Sequence, residues 1–392
     1  MLLLKRGGET VYFGELGTNA SELVQYFQSI DGVAPLPKGY NPATWMLEVI
    51  GAGVGNTAAQ DSDFVSLFNS SEKKAVLNDV LSQEGVSRPA AGVATLEFDN
   101  KRAASETTQA KFLLKRFLTM YWRTTAYNLT RMFVFVLLAV VFALSFLSLK
   151  YATYQGINAG IGMVFVTTVF VGVVSFESVL PIASDERAAY YRERACQTYN
   201  SLWYFVGSTL AEIPYVFVSC LVFCGIFYPI VGFTGAWRFV LYWVHTSLHV
   251  LLQTYIGQFF VYALPNIEVA MIVGVIMNAI FFLLMGYNPP AESIPSGYKW
   301  LYHCIPPKYS FAILTSLVFG ECSDGDEFGC KTLVGDLPPA VPAGTTIKQY
   351  VETVFQIKRD ELWTNFAVVI GFIVGFRVLA LLALRFINHQ KR

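Results

Sequence analysis

Charge is what this chain has least of. Only 14% of its 392 residues are Asp, Glu, Lys or Arg, against about 25% in a soluble globular protein. A deficit of that size excludes an ordinary water-facing surface over much of the chain and makes lipid the solvent there. The net charge is +0, so nothing draws the chain to nucleic acid. Six scattered cysteines exclude a zinc framework and a disulfide-built fold. The apolar start, Met1–Leu4, is too short for the core of a signal peptide, so targeting falls to the later apolar stretches. Catalytic signatures are missing too. There is no G-x-x-x-x-G-K-[ST] to cradle phosphates, no H-E-x-x-H and no G-x-S-x-G. Gly7-Gly8 and Gly51-Ala52-Gly53 lack the lysine and hydroxyl of a phosphate loop. No catalytic residue is assigned.

Hydrophobic residues make up 54% of the chain and aromatics 15%. Six stretches are long enough to cross a hydrocarbon core of roughly 30 Å: 132–149, 157–178, 202–231, 238–263, 267–287 and 363–384. Arg377 interrupts the sixth and is expected to snorkel toward the inner surface. Ahead of the first span, Thr107–Tyr127 sets Lys111, Lys115, Arg116 and Arg123 against Leu113, Phe117, Met120 and Tyr121 at helical spacing. That pattern predicts a helix lying in the membrane interface, an ordinary surface helix being the alternative. Lys111, Lys115, Arg116, Arg123 and Arg131 precede the first span, Arg187, Arg192 and Arg194 follow the second, and Arg385, Lys391 and Arg392 end the chain. This distribution predicts cytoplasmic termini and an extracellular loop over 288–362. The expected fold class is an all-α polytopic membrane protein with six transmembrane helices, an interfacial connecting helix, a large extracellular loop and a small α/β segment at the N-terminus.

In that first segment, Leu2–Leu4 and Thr10–Phe13 read as strands around the turn Arg6-Gly7-Gly8-Glu9, and Ser21 as the cap of a helix. The Asn41-Pro42 step is expected to break helix, with Trp45, Met46 and Leu47 as buried anchors. A further amphipathic helix is predicted over Asp63–Leu81 within a linker spanning 56–106. Two strands and two helices cannot bury a core of their own, so 1–55 reads as the tail end of a domain whose body is absent. In the outer loop, Tyr309–Gly320 is apolar but too short to span and predicts a re-entrant or interfacial helix. Cys322 and Cys330 lie in a polar, turn-rich stretch on the oxidising side, where a disulfide is expected. Cys304 is a competing partner, and free thiols or a bridge between chains are the alternatives.

The segment Ser184–Tyr204 packs Asp185, Glu186, Arg187, Arg192, Glu193 and Arg194 around Tyr190 and Tyr191. Such a charged helical connector suits docking on another protein through charge pairs and aromatic anchors. A solvated loop on the positive side is the plainer alternative. An acid inside a membrane segment is a functional-site hypothesis. Glu268 at a helix start can simply answer the dipole, and Glu177 lies at the inner end of its span, but Glu212 within the third span fits the dipole poorly. His245 and His249 form an i,i+4 pair that suits a metal or a proton relay, or plain helix packing. No third ligand can be named and no metal site is assigned.

RGGETVYFGELG, GYNPATWMLEV, the basic helix with Tyr121-Trp122-Arg123 and Tyr127-Asn128, ERAAYYRERA, AEIPY and IPPKYSFAILTSLVFGEC follow in order along the chain. Together they resemble the pleiotropic-drug-resistance type of the G subfamily of ABC transporters. The resemblance implies that 107–389 is the second, type-2 permease domain and 1–55 the remnant of the second nucleotide-binding domain. Walker motifs and the ABC signature are missing, so no cofactor is expected on this chain itself. ATP and Mg are expected on the nucleotide-binding domains it works with. The implied partners are the bilayer, with the plasma membrane as the expected location, an ABC nucleotide-binding domain, a second permease half and a lipophilic small-molecule substrate. On this carry-over Arg116, Tyr121, Trp122 and Arg123 belong to the connecting helix. Glu186, Arg187, Tyr191, Arg192, Glu193 and Arg194 belong to the coupling loop. Phe165, Thr168 and Val169 of span two and Asn278, Phe281, Phe282 and Met285 of span five face a substrate cavity. The expected function is the permease portion of an ATP-driven exporter; a non-transporting scaffold and a gradient-driven carrier are the rivals. The purified chain is expected neither to bind nor to hydrolyse ATP, because it has no phosphate-cradling loop. Saturable, magnesium-dependent binding of a labelled ATP analogue to the chain would contradict this.

Overall fold

The computed structural model describes all residues except 6, 52–61, 91, 95–101, 103, 324, 326, 336, 340 and 390–392. Arg6 of the first turn, Ala52-Gly53, much of the expected linker, and the terminal Lys391 and Arg392 therefore lie outside the described residues. Contacts divide the chain into two compact units, Met1–Asp99 and Asn100–Arg392.

In the first unit, β1 (Leu2–Leu4) and β2 (Thr10–Phe13) form an antiparallel hairpin. Helix α1 (Ser21–Gln28) turns Leu23 and Phe27 inward; Ser21, expected as its cap, is instead its first residue, after Ala20. The Asn41-Pro42 step does not end a helix but starts one. Asn41 Oδ1 accepts from the Ala43 amide, and Pro42 stands at the first position of α2 (Pro42–Val49), where its missing N–H costs nothing. Trp45 and Met46 are buried but Leu47 is exposed, because the helix turns it away. The single helix expected over Asp63–Leu81 is two, α3 (Phe64–Asn69) and α4 (Glu72–Ser82). Asp63 caps the one and Ser71 the other, since short polar side chains favour caps over helix interiors. Val11, Tyr12, Phe27, Trp45 and Phe64 share one small core. Phe64, placed in the linker by sequence, thus belongs to this unit.

The second unit is a helical bundle. Helix α5 (Glu106–Arg123), capped by Ser105, is followed after Thr124 alone by α6 (Thr125–Ser145). Helix α7 runs unbroken from Tyr154 to Ala195, 42 residues, or about 63 Å at 1.5 Å per residue. That is twice the roughly 30 Å of hydrocarbon, so the charged connector expected after span two is the far end of the same helix. Then follow α8 (Ser201–Ile230), α9 (Ala236–Ala263), α10 (Ile267–Leu284), α11 (Lys299–Cys304), α12 (Pro306–Phe319), α13 (Ile347–Val354) and α14 (Leu362–Phe386). Among the described residues five helices are long and apolar enough to cross a membrane: α6, α7, α8, α10 and α14. The sixth expected span is α9, 28 residues long. It packs on α7, α8, α10, α12 and α14 and buries His245, Thr246, Ser247, His249, Gln253, Thr254 and Gln258. Its polarity faces protein, which is where membrane helices keep polar residues. Close approach needs small residues: a Cβ at Gly257 of α9 would meet the Phe176 carbonyl of α7 at 2.9 Å.

Helix α12 is buried along nearly its whole length, as a short apolar helix packed on the bundle must be. Beyond it Cys322 and Cys330 are joined in a disulfide. The bridged loop carries Glu327, and next to it stands Glu321. Arg238 at the start of α9 donates Nε–H to Glu321 (2.9 Å) and also pairs with Glu327, while Arg359 reaches Glu321 at 3.2 Å. Replacing Cys322 and Cys330 together by serine is expected to cost about 2–3 kcal/mol, the chain-entropy value for so short a loop. A lowered thermal unfolding midpoint in detergent or nanodiscs, equal to that of the parent under reducing conditions, checks it.

Candidate functional site

Residues Gln109, Leu113, Phe117 and Tyr121 recur every four positions along α5 and are all buried. They form the stripe that seats α5 on α8, where the Phe117 and Tyr204 rings meet at 4.9 Å. Gly207 permits this: a Cβ there would meet the Phe117 ring at 3.0 Å. The seating turns Arg116 toward the end of α7. Its Nη1 donates to Glu193 at 2.6 Å and its Nη2 to Glu186 at 3.3 Å. Tyr199 donates to the same Glu193 oxygen at 2.5 Å. Burial pushes the Tyr199 phenol above its ordinary pKa, and the bond to Glu193 adds to the shift. Burial opposes the Arg116 cation, but Glu193 and Glu186 outweigh it and raise its pKa. Helix α5 and the end of α7 are thus tied by one cation between two carboxylates.

The same end of α7 grips two other helices. Arg187 is buried and donates to the carbonyls of Val261, Leu264 (2.7 Å) and Pro265 (3.1 Å). These are the unpaired carbonyls at the C-terminus of α9, where a cation also answers the helix dipole. Tyr191 donates to Ile387 O at 3.1 Å and Arg194 to Leu384 O at 3.3 Å, at the end of α14. Tyr190 is buried, its hydroxyl on Ser201 Oγ at 2.7 Å. The expectation that Tyr190 and Tyr191 anchor another protein is therefore overturned: both rings are spent inside the chain. What stays exposed at this end of α7 is a stripe of Asp185, Ala188 and Arg192, about one turn apart each, joined at the helix end by Arg194 and Ala195. On α5, Trp122 and Arg123 are exposed, while Tyr121 packs on Tyr127 and Tyr215.

Deeper in the bundle lies a polar cluster. Glu212 of α8 is fully buried and accepts from Arg131 Nη1 (2.7 Å) and Tyr127 Oη (2.6 Å). Arg131 donates further to Ser178 of α7 (3.1 Å) and Thr254 of α9 (3.3 Å), with its guanidinium 4.5 Å from the Tyr127 ring centre. Arg131 is thus no flanking cation, as its place before the first span had suggested. Arg377 does not snorkel. It is buried, bonds Gln258 of α9 and Thr209 of α8, and stacks over Phe205 (4.1 Å) and Tyr255 (4.3 Å). Each hydrogen-bond partner of these two arginines sits on another helix, so no flank count could have found them. The legible signals were Glu212 and Arg377, charges within apolar runs.

Several of the residues picked for a cavity pack against other helices of this chain. Phe165 is buried among the rings of Phe282 (5.2 Å), Tyr287 (4.8 Å) and Phe311 (5.8 Å). Thr168 is buried, its carbonyl 3.0 Å from His249 Nε2, and Asn278 bonds back to Gly274 O. Met285 is buried, Val169 and Phe281 half-buried and Phe282 exposed. Within the chain, α7 and α10 pack directly on one another.

A helical collar fastened by charge pairs to a lipid-length bundle with a buried ionic core defines a multi-pass membrane domain. Residues 108–319 match the model for ABC-2 type transporters, and 328–392 that for CDR ABC transporters. The chain belongs to the ABC-2 type transporter family. It is 33% identical to ABC transporter G family member 36 of Oryza sativa subsp. japonica, and 30% identical to pleiotropic drug resistance protein 1 of Petunia axillaris and of Nicotiana tabacum. Each alignment covers 100% of this chain and 26% of the relative, so the chain spans about a quarter of their length.

Removing one member of a buried ion pair strands the other. Glu212→Leu alone is expected to destabilise by about 3–5 kcal/mol, and Arg131→Met with Glu212→Leu to regain most of that. Thermal midpoints of the three proteins in nanodiscs check it; a Glu212→Leu midpoint equal to the parent's would refute the pairing.

Proposed function

We propose that this chain is the permease portion of an ATP-driven exporter of lipophilic or amphipathic compounds, working by alternating access. The observation that carries the reading is Arg116 held between Glu186 and Glu193. That junction locks the connecting helix to the end of α7, and α7 continues without a break into the ionic core at Ser178. A push on the exposed stripe Asp185–Ala188–Arg192 is thereby delivered to the bundle. On this reading an ABC nucleotide-binding domain supplies the push, with ATP and Mg held there, and a second permease half completes the pathway. The sequence of this chain offers no phosphate-cradling loop for them. The names of its relatives, pleiotropic drug resistance proteins among them, support the substrate class. The first residues, with their hairpin and small core, fit the tail of a nucleotide-binding domain.

The orientation follows from the same reading. The collar and both termini are cytoplasmic, the disulfide loop is extracellular, and the membrane is the plasma membrane. Exposed Trp237 at the start of α9, Trp300 in α11 and Trp363 at the start of α14 then share the outer boundary, where tryptophan is enriched.

The test needs the chain joined to, or co-expressed with, an intact nucleotide-binding domain. Arg192→Glu is expected to leave surface expression intact and to cut efflux of a lipophilic dye at least about tenfold, since a reversed charge at a desolvated contact can cost several kcal/mol. Arg116→Glu and Glu193→Arg should each impair efflux, and the two together should restore part of it. Normal efflux with Arg192→Glu would return the stripe to a solvated helix face.

A further inference from the structure

We propose that the groove where α5, α6 and α8 meet is a binding site for an anionic phospholipid, one acyl chain in the groove and the headgroup on Lys111 and Lys115. The groove lies where the chain leaves helical geometry at Thr124 between α5 and α6, with Pro214 of α8 on the facing wall. Its volume is about 700 Å³, within the roughly 300–1,000 Å³ of small-molecule sites. Leu118, Trp122, Leu129 and Val218 line it with Thr125, Asn128 and Ser219 among them, a mostly apolar wall. Trp122 is 78% exposed and Leu129 65%. In a protein whose helices cross a bilayer, such a wall takes an aliphatic occupant.

Charge decides which one. Lys111, Lys115, Leu118 and Trp122 follow one another at steps of four, three and four residues, which puts them within about 60° on one face of α5. The two lysines are exposed, and Glu186 and Glu193 at the end of α7 are taken by Arg116 instead. Cations therefore continue the line of the groove, Lys115 about 10 Å from Trp122 along the axis. A ligand that fits is anionic at one end and aliphatic at the other. Phosphatidylserine has that shape, and polybasic segments beside a membrane attract it. A zwitterionic lipid offers the same chains without the net charge.

The experiment uses the full chain in nanodiscs and reads Trp122 fluorescence as the difference between the parent and Trp122→Phe. Dibrominated phosphatidylserine is expected to quench this component at an about fivefold lower mole fraction than dibrominated phosphatidylcholine. Lys111→Gln with Lys115→Gln should abolish the difference and leave quenching by phosphatidylcholine unchanged. Val218→Phe, which fills the groove, should weaken quenching by both lipids. Helix content and gel-filtration profile accompany each variant, and the lysine pair is exposed, so its result stands even if Val218→Phe does not fold. Equal quenching by the two lipids, or a preference that survives loss of both lysines, would overturn the proposal. So would relief of quenching by a neutral lipophilic dye to the same extent in both lipids, which would make the groove part of a transport path.

Discussion

Hydrocarbon offers a charged side chain no water, so Arg131 must draw every hydrogen bond from protein. Glu212, Ser178 and Thr254 supply them and the Tyr127 ring covers the guanidinium. Those partners come from α7, α8 and α9, so one side chain of α6 sets the register of three neighbours. A slip of one residue turns a helix by about 100° and would carry Arg131 out of reach of Glu212. Arg377 does the same for α14 against α8 and α9. Most of the lipid-facing helix surface could be exchanged for other apolar residues, but these two guanidinium sites allow one arrangement only. They fix helix register more strictly than the apolar core does, where volume-conserving changes are tolerated.

Helix α9 makes that arrangement possible. It is packed against five other helices and carries the polar groups that the two arginines need. Its C-terminal carbonyls are in turn closed by Arg187 of α7. The core and the collar are therefore not separate devices. Ser178 and Arg187 lie nine residues apart on α7, about 13 Å; the first holds Arg131 and the second the end of α9. Displacement of the α7 end meets resistance at α5, α9 and α14 together, which suits a rigid-body movement better than a local bend.

Much of the bundle was legible beforehand because lipid demands it. Spans of apolar residues must be long enough to cross hydrocarbon, and a helix must satisfy its own backbone. The starts and ends of α8, α9, α10 and α14 accordingly lie within a few residues of their expected positions. Places where a local rule had two outcomes were misread. Asn41-Pro42 both ends helices and starts them, and only the cap bond to Ala43 decides which. The polar pair Ser70-Ser71 splits a helix that its apolar spacing had suggested was single.

The membrane class, the span positions, the basic face of α5 and the charged run after span two follow from sequence alone, because each rests on composition or on spacing along one helix. The roles of the charges do not. Arg131 and Arg377 looked like residues heading for water, and Tyr190 and Tyr191 like anchors for a partner. Tertiary structure turned all four inward, since the groups that complete them (Glu212, Gln258, Ser201 and Ile387) lie 11 to 196 residues away in sequence. A charge in lipid is settled by whichever helix comes to face it, and helix rotation is fixed only when all the helices pack.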